Sequence, residues 1–342
     1  MLNRRLTMTG AAAATATLAM PSILRSQPTS LVTTFTGGKL LEVYRQTVVT
    51  PFEAKFGVTV NIKSGTPNEW LTNTIVNRTR PEIDLLWLVD PISFRAVSEG
   101  VCEELNTSEV PNTADVYPEW FDGYKRQGVG HEFGAVGIAY RTDMVKTPPK
   151  SWKDLWSPEF KGLLAMPDLP VSAGFETLLM AARVHGGSET NIDPGFAAMK
   201  SLKPNVRKFY TASPEAQQMF VQREVAAGSF FNARANDSKA AGVPIEWISP
   251  VEGAVPNMVA YHVVKNSRAR DLAMKFLNFA ISPEIQSAFC SGVGYAPTNR
   301  KTVVTPSVAA QLPAYKDLAK VDWWAVVPNM TSWLNRWSRE IN

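Results

Sequence analysis

An open α/β fold built as two domains is predicted by three observations. Strand, turn and helix follow one another repeatedly, one strand is a continuous apolar run, and the 342 residues exceed what one core needs at roughly 100–200 residues per domain. With 45% apolar and 19% charged residues, the composition is that of a folded chain rather than a disordered one.

The elements follow in chain order. Leu31-Val32-Thr33-Thr34-Phe35 is a β-branched opening strand, and Thr36-Gly37-Gly38 turns the chain into a helix whose Leu41, Tyr44 and Val48 share one face. Val58 to Ile62 reads as a second strand, Ser64-Gly65-Thr66 as its exit and Asn68 to Val76 as a helix. Leu85 to Val89 is unbroken by polar residues and ends at Asp90-Pro91; such a run suits a strand covered on both faces, as in a parallel sheet between helices. Gly134 to Arg141 is the next strand, Trp152 to Trp156 a short helical turn, and Gly162 to Met166 a strand ending at Pro167-Asp168. Phe175 to Val184 is a helix with Ser172 as its cap, and Ser213-Pro214-Glu215 starts another that runs to Ala227. Ser229 to Phe231, Ile245 to Ile248 and Val259 to Lys265 are strands, with Asn232 and Arg234 in the loop after the first. Ala269 to Ala280 is an amphipathic helix, and Ser282-Pro283-Glu284 opens the next.

The amino terminus reads as an address. Arg4-Arg5 precedes a mildly apolar run from Gly10 to Met20, the layout of a secretory signal and too short to span a bilayer. The adjacent arginines resemble a twin-arginine signal; a Sec signal is the alternative, with cleavage near Ser26 to Ser30. Without the first 26 residues, 32 basic residues face 31 acidic ones. No Lys/Arg stripe with interleaved aromatics remains, so no nucleic-acid surface is expected. Cys102 and Cys290 are too few for a multi-cysteine metal centre; one disulfide or two buried thiols both fit.

Three segments carry a resemblance to a family. The run from Pro148 to Gly162 (PPKSWKDLWSPEFKG), then Pro250-Val251-Glu252-Gly253 with Val264-Lys265, and then Ala273 to Ile285 with Gly294-Tyr295-Ala296-Pro297-Thr298-Asn299 resemble the solute-binding proteins of ABC importers, in the branch of iron(III), polyamine, thiamine and aminoethylphosphonate binders. The resemblance covers about residues 31 to 340. It implies a type II periplasmic binding protein fold, with lobe 1 from 31–133 plus 262–342 and lobe 2 from 134–261, behind an export signal in 1–30. It also implies a periplasmic location, capture of a small-molecule solute by lobe closure, a membrane permease and ATPase as partners, and no cofactor. A monomer is expected, because closure needs only one chain.

The candidate ligand residues sit at strand exits and helix starts. Thr36, Gly37 and Gly38 present backbone N–H groups at a helix start, which attract an anion or a ligand oxygen; the plain alternative is a tight turn. Thr66 repeats that logic before the second helix. Asp90 closes the third strand and suits an amine. Ser172, Ala173 and Phe175 open a helix toward the same cleft from the other lobe. Asn232 and Arg234 follow a strand, and the Arg234 guanidinium suits a carboxylate or phosphonate. Glu252 either meets ligand or braces the hinge. Phe230-Phe231-Asn232-Ala233-Arg234 lacks the tyrosine pair of the iron binders, which disfavours iron. A small, polar, anionic organic solute is the leading expectation, a polyamine or other cation the alternative; a ligand-sensing protein is the reading from another class.

Catalysis is not expected. His131, His185 and His262 lack zinc-site spacing, no G-x-S-x-G elbow or Walker A string occurs, and Gly128-x-Gly130-x-x-x-Gly134 follows a polar stretch rather than an apolar strand.

Overall fold

The computed structural model describes residues 29–342, so the export signal read in residues 1–30 lies outside the described residues save for its last two positions. Ten strands form: β1 Ser30–Phe35, β2 Thr59–Ser64, β3 Leu85–Val89, β4 Val129–Arg141, β5 Leu164–Pro167, β6 Val206–Tyr210, β7 Ala227–Phe231, β8 Ile245–Ile248, β9 Val255–Val263 and β10 Ala296–Pro297. Their order is β2-β1-β3-β9-β4-β7-β5-β6, with β8 and β10 also paired to β4.

Each end of this array is parallel. β1 pairs in parallel with β2 and β3, and β5 does so with β6 and β7. The antiparallel strands β4 and β9 join the two ends. Val129 to Val136 of β4 run beside β9, Glu132 and Phe133 also pair with β10, and from Val136 onward β4 pairs with β7 and then β8. β9 likewise pairs with β4 from Val255 and with β3 from Val259 to Val263. The two domains expected from the sequence are thus bonded into one ladder through two strands that pair with both ends of it. Helices flank the ladder on each side, giving a two-lobed, open α/β fold.

The continuous β4 is possible because its small residues admit close neighbours. A Cβ on Gly137 would come within 2.5 Å of the Ile248 carbonyl oxygen and the Trp247 ring. One lobe packs Phe35, Tyr44, Trp87 and Phe289 together, with Phe35 stacked on Tyr44 at 3.9 Å. The other packs Tyr210, Phe220 and Phe230. Side chains of this size dominate the burial term that offsets chain entropy.

A third link crosses late in the chain. Ala319 N–H donates to the Ala254 carbonyl at 2.9 Å, and the helix Met330–Glu340 docks on the opposite lobe, where Trp337 Nε1 donates to Asp168 at 2.6 Å and Lys203 Nζ to the Ile341 carbonyl at 2.7 Å.

Several elements differ from expectation. The helix after Ala212 spans Ser213–Val221 and stops six residues before Ala227; Arg223 is left-handed at φ 61°, and Ala227 is already paired with Leu164 of β5. Its N-cap is Ala212, without a side-chain cap, so Ser213 is not the capping residue; Val171 rather than Ser172 precedes the helix Ser172–Val184. Asn232 and Arg234 lie not in a loop but in the helix Asn232–Ala240, a polar helix whose small Ala233, Ala235 and Ser238 are its buried contacts. The helix Asp193–Leu202 and the strand β6 have no counterpart in the sequence reading. Cys102 and Cys290 are separate buried thiols; burial pushes the Cys102 thiol up to about 12.

Candidate functional site

The strand exits of both lobes converge on one cleft. A cavity of about 800 Å³ is walled by Thr36 after β1, Thr66 after β2, Trp87 and Asp90 at the end of β3, and Phe175 from the other lobe. A second cavity of about 430 Å³ is lined by Gly37, Gly38 and Tyr295 on one side and by Ala233, Arg234 and Asp237 on the other. The sequence-derived candidates therefore divide between two cavities rather than forming one cluster. A third, aromatic chamber of about 520 Å³, with Trp120, Tyr124, Met258 and Trp324, shares Asp90 with the first.

Some candidates are occupied by local structure. The Thr66 hydroxyl accepts from Glu69 N–H, and Glu69 returns the bond to Thr66 N–H at 2.8 Å, a capping box. Gly38 caps the helix Lys39–Tyr44 at φ 77°, a backbone setting that favours glycine. Glu252 accepts from Trp152 N–H at 3.1 Å and from the Ser151 hydroxyl, which ties it to the turn Trp152–Trp156, and it lines neither cleft cavity. Ala173 is buried inside the helix Ser172–Val184, which Ser172 begins.

Asp90 is 3% exposed, and both its carboxylate oxygens accept from the Tyr124 hydroxyl, at 3.0 and 3.2 Å. Burial pushes its carboxyl up to about 8, against the opposing bonds from Tyr124 and Ser93. On the other lobe, Glu176 follows Phe175 and is fully buried. One of its oxygens accepts from Asn257 Nδ2 at 3.2 Å, and the other has no hydrogen-bond partner among the described residues. Burial pushes Glu176 up to about 8 as well, with the Asp90 charge adding to the rise. No Lys or Arg among the described residues forms an ion pair with either acid.

Trp87 lines the first cavity with Asp90, and its Nε1 donates to Glu132 at 3.2 Å; Glu132 also contacts His131 Nδ1. Arg234, by contrast, is 45% exposed at its side chain and stands 4.0 Å from Asp237. Glu176, Glu132, Trp87 and Asn257 were missed in the sequence. Two signals were available: Glu132 interrupts an apolar strand, and Glu176 sits in the helix start already singled out at Ser172, Ala173 and Phe175. A buried acid in either place needs a partner.

The arrangement is a concave, partly aromatic cleft between two lobes with a few convergent polar groups, which can bind and enclose a small molecule. A model of the family described as bacterial extracellular solute-binding protein matches residues 47–317. The chain is 29% identical over 233 residues to the spermidine/putrescine-binding periplasmic protein of Escherichia coli K12, covering 64% of this chain and 65%, just under two thirds, of that relative. It is 24% identical over 294 residues to the gamma-aminobutyric acid-binding protein of Pseudomonas aeruginosa PAO1, covering 84% and 82%. The crystal structure of an ABC transporter from Clostridium perfringens superposes with a TM-score of 0.81 at 28% identity, over 91% of this chain and 100% of that one; that of an extracellular solute-binding protein from Bordetella parapertussis gives 0.82 at 28%, over 92% and 99%. With the family match running through both lobes and the cleft between them, the chain belongs to the bacterial extracellular solute-binding proteins, a periplasmic carrier of a small organic solute rather than an enzyme.

Proposed function

We propose that the solute is an organic amine, cationic at neutral pH, held between Asp90 and Glu176 and handed by the closed protein to an ABC permease and its ATPase. The observation that carries this reading is a pair of buried carboxylates on opposite lobes, Asp90 on the cavity wall and Glu176 next to the wall residue Phe175, without a Lys or Arg partner among the described residues. A buried carboxylate is costly unless paired, and an ammonium group supplies the missing charge, with Trp87 and Phe175 offering faces for its carbon chain. The relatives that bind spermidine and putrescine support a cationic solute. The anionic expectation rested on two helix starts and Arg234; Arg234 is half exposed beside Asp237, so the cationic alternative is the better supported of the two.

The candidate contacts are Thr36, Asp90 and Phe175 from the earlier set, with Trp87 and Glu176 added. The lobes expected from the sequence are 31–133 with 262–342, and 134–261; the change of β4 partners after Phe133 supports the first boundary, while the docking of Met330–Glu340 on the helix Asp193–Leu202 favours an amended division in which that last helix belongs to the second lobe and the first lobe's later part ends before Met330. The Arg4-Arg5 pair supports export by the twin-arginine route; processing that survives replacing both arginines with lysine would remove that route.

Calorimetry with putrescine, spermidine and gamma-aminobutyrate against butyrate tests the amine reading. At least one amine is expected to bind where butyrate does not, and Glu176→Gln is expected to weaken it by about 2–5 kcal/mol, the usual cost of removing one partner of a buried charged pair. Binding of butyrate with no binding of any amine would overturn the assignment.

A further inference from the structure

Beside the cavity walls lie an unused donor as well as an unused acceptor: Asn232 precedes the lining residue Ala233, and Glu176 follows the lining residue Phe175. Asn232 is fully buried at the start of its helix. Its side-chain oxygen accepts from Ala135 N–H at 2.9 Å, and only the oxygen can accept, so the orientation of the amide is set by that bond. The Nδ2 group then carries its two N–H donors away from β4 and has no hydrogen-bond partner among the described residues. The position is at the lobe junction. A Cβ on Gly134 would lie 3.3 Å from the Asn232 oxygen and 3.6 Å from the Tyr295 ring of the other lobe, and Tyr295, Ala233 and Arg234 line the 430 Å³ cavity together.

A protonated amine can satisfy Glu176, but it has no lone pair to offer Asn232. A ligand made only of ammonium groups and methylenes would leave that buried donor unmet, which is disfavoured. We infer that the solute is zwitterionic: its ammonium group lies with Asp90 and Glu176, and a carboxylate or similar acceptor at its other end takes the Asn232 amide N–H, with Arg234 beside it. This rests on the amine reading above and narrows it. Arg234 supplies positive charge at the same end, offset in part by Asp237 at 4.0 Å, so the hydrogen bond from Asn232 does the discriminating.

Two four-carbon probes that share an ammonium group separate the possibilities, because gamma-aminobutyrate ends in an acceptor and putrescine in a second donor. Competition calorimetry on the purified full-length mature protein should show gamma-aminobutyrate binding about tenfold or more tighter than putrescine, the worth of one hydrogen bond to a charged group. Asn232→Asp keeps the acceptor for Ala135 N–H and removes the donor, and should reverse the order so that putrescine binds tighter. Asn232→Ala, should Asn232→Asp fail to give a cooperative melt, should bring the two affinities together. Wild-type preference for putrescine, or an order unchanged in the folded variant, would overturn the zwitterion inference and leave the amine reading standing. Binding of butyrate with neither amine bound would overturn both.

Discussion

At the scale of single residues, two buried acids, Asp90 and Glu176, have no Lys or Arg ion-pair partner among the described residues. Asp90 and Glu176 are both raised to about 8, chiefly because burial penalises the charged form. In the unfolded chain their carboxyls titrate near 4, so between about pH 4 and pH 8 the folded, ligand-free protein binds more protons than the unfolded one. Stability contributed by these groups is therefore present at low pH and lost as pH rises toward 8. His262 works in the opposite direction: burial lowers it to about 4, which costs stability as pH falls below about 6.5. The two effects are separable by difference. Thermal melts of ligand-free wild type and Glu176→Gln from pH 5 to pH 8 should show the variant losing less stability with rising pH, and identical pH profiles would contradict a neutral Glu176. An ammonium ligand favours the ionised carboxylates, so its affinity should rise over the same range with release of protons. Asp90 was legible because it ends an apolar strand before a proline; Glu176 was not, because a single acid in a helix start looks solvated until segments distant in the chain, Asn257 among them, pack over it.

At the scale of elements, the apolar run Leu85 to Val89 became β3 with those bounds, since five consecutive apolar residues can be satisfied only by cover on both faces. The strand read from Gly134 instead begins at Val129. His131 and Glu132 break the pattern; in the fold Trp87 Nε1 donates to Glu132, and Gln286 and Thr298 donate to the His131 carbonyl at 2.7 and 3.2 Å, contacts that no local pattern announces. Ser213 and Ser172 looked like hydroxyl caps, yet each stands one place inside its helix. Boundary shifts of one residue are common at helix ends, but here they decide which groups are free for a ligand. The helix Asn232–Ala240 was read as a loop because its charged and amide residues mask a small-residue face, and the close approach it permits to β7 and β8 is a tertiary property.

At the scale of the whole molecule, β4, β9 and the late crossing near Leu318 connect the lobes among the described residues. Closure around a ligand that bridges Asp90 and Glu176 should make the particle more compact. Small-angle scattering with and without a saturating amine identified by calorimetry is expected to show a smaller radius of gyration in the complex. An unchanged profile would mean that the cleft is already closed and that binding does not change the shape.

The sequence by itself determined the α/β class and the order of most strands and helices, because apolar periodicity, glycine turns and proline starts are local in the chain. It did not determine the charge of the site. Asp90, Glu176, Asn232 and Arg234 come from segments up to 144 positions apart, and whether each is a solvated surface group or a buried one lacking a partner depends on what distant parts of the chain place over it. Burial and hydrogen-bond partnership are non-local quantities, so only the tertiary structure decided that the acids and Asn232 Nδ2 are enclosed while Arg234 remains half in solvent.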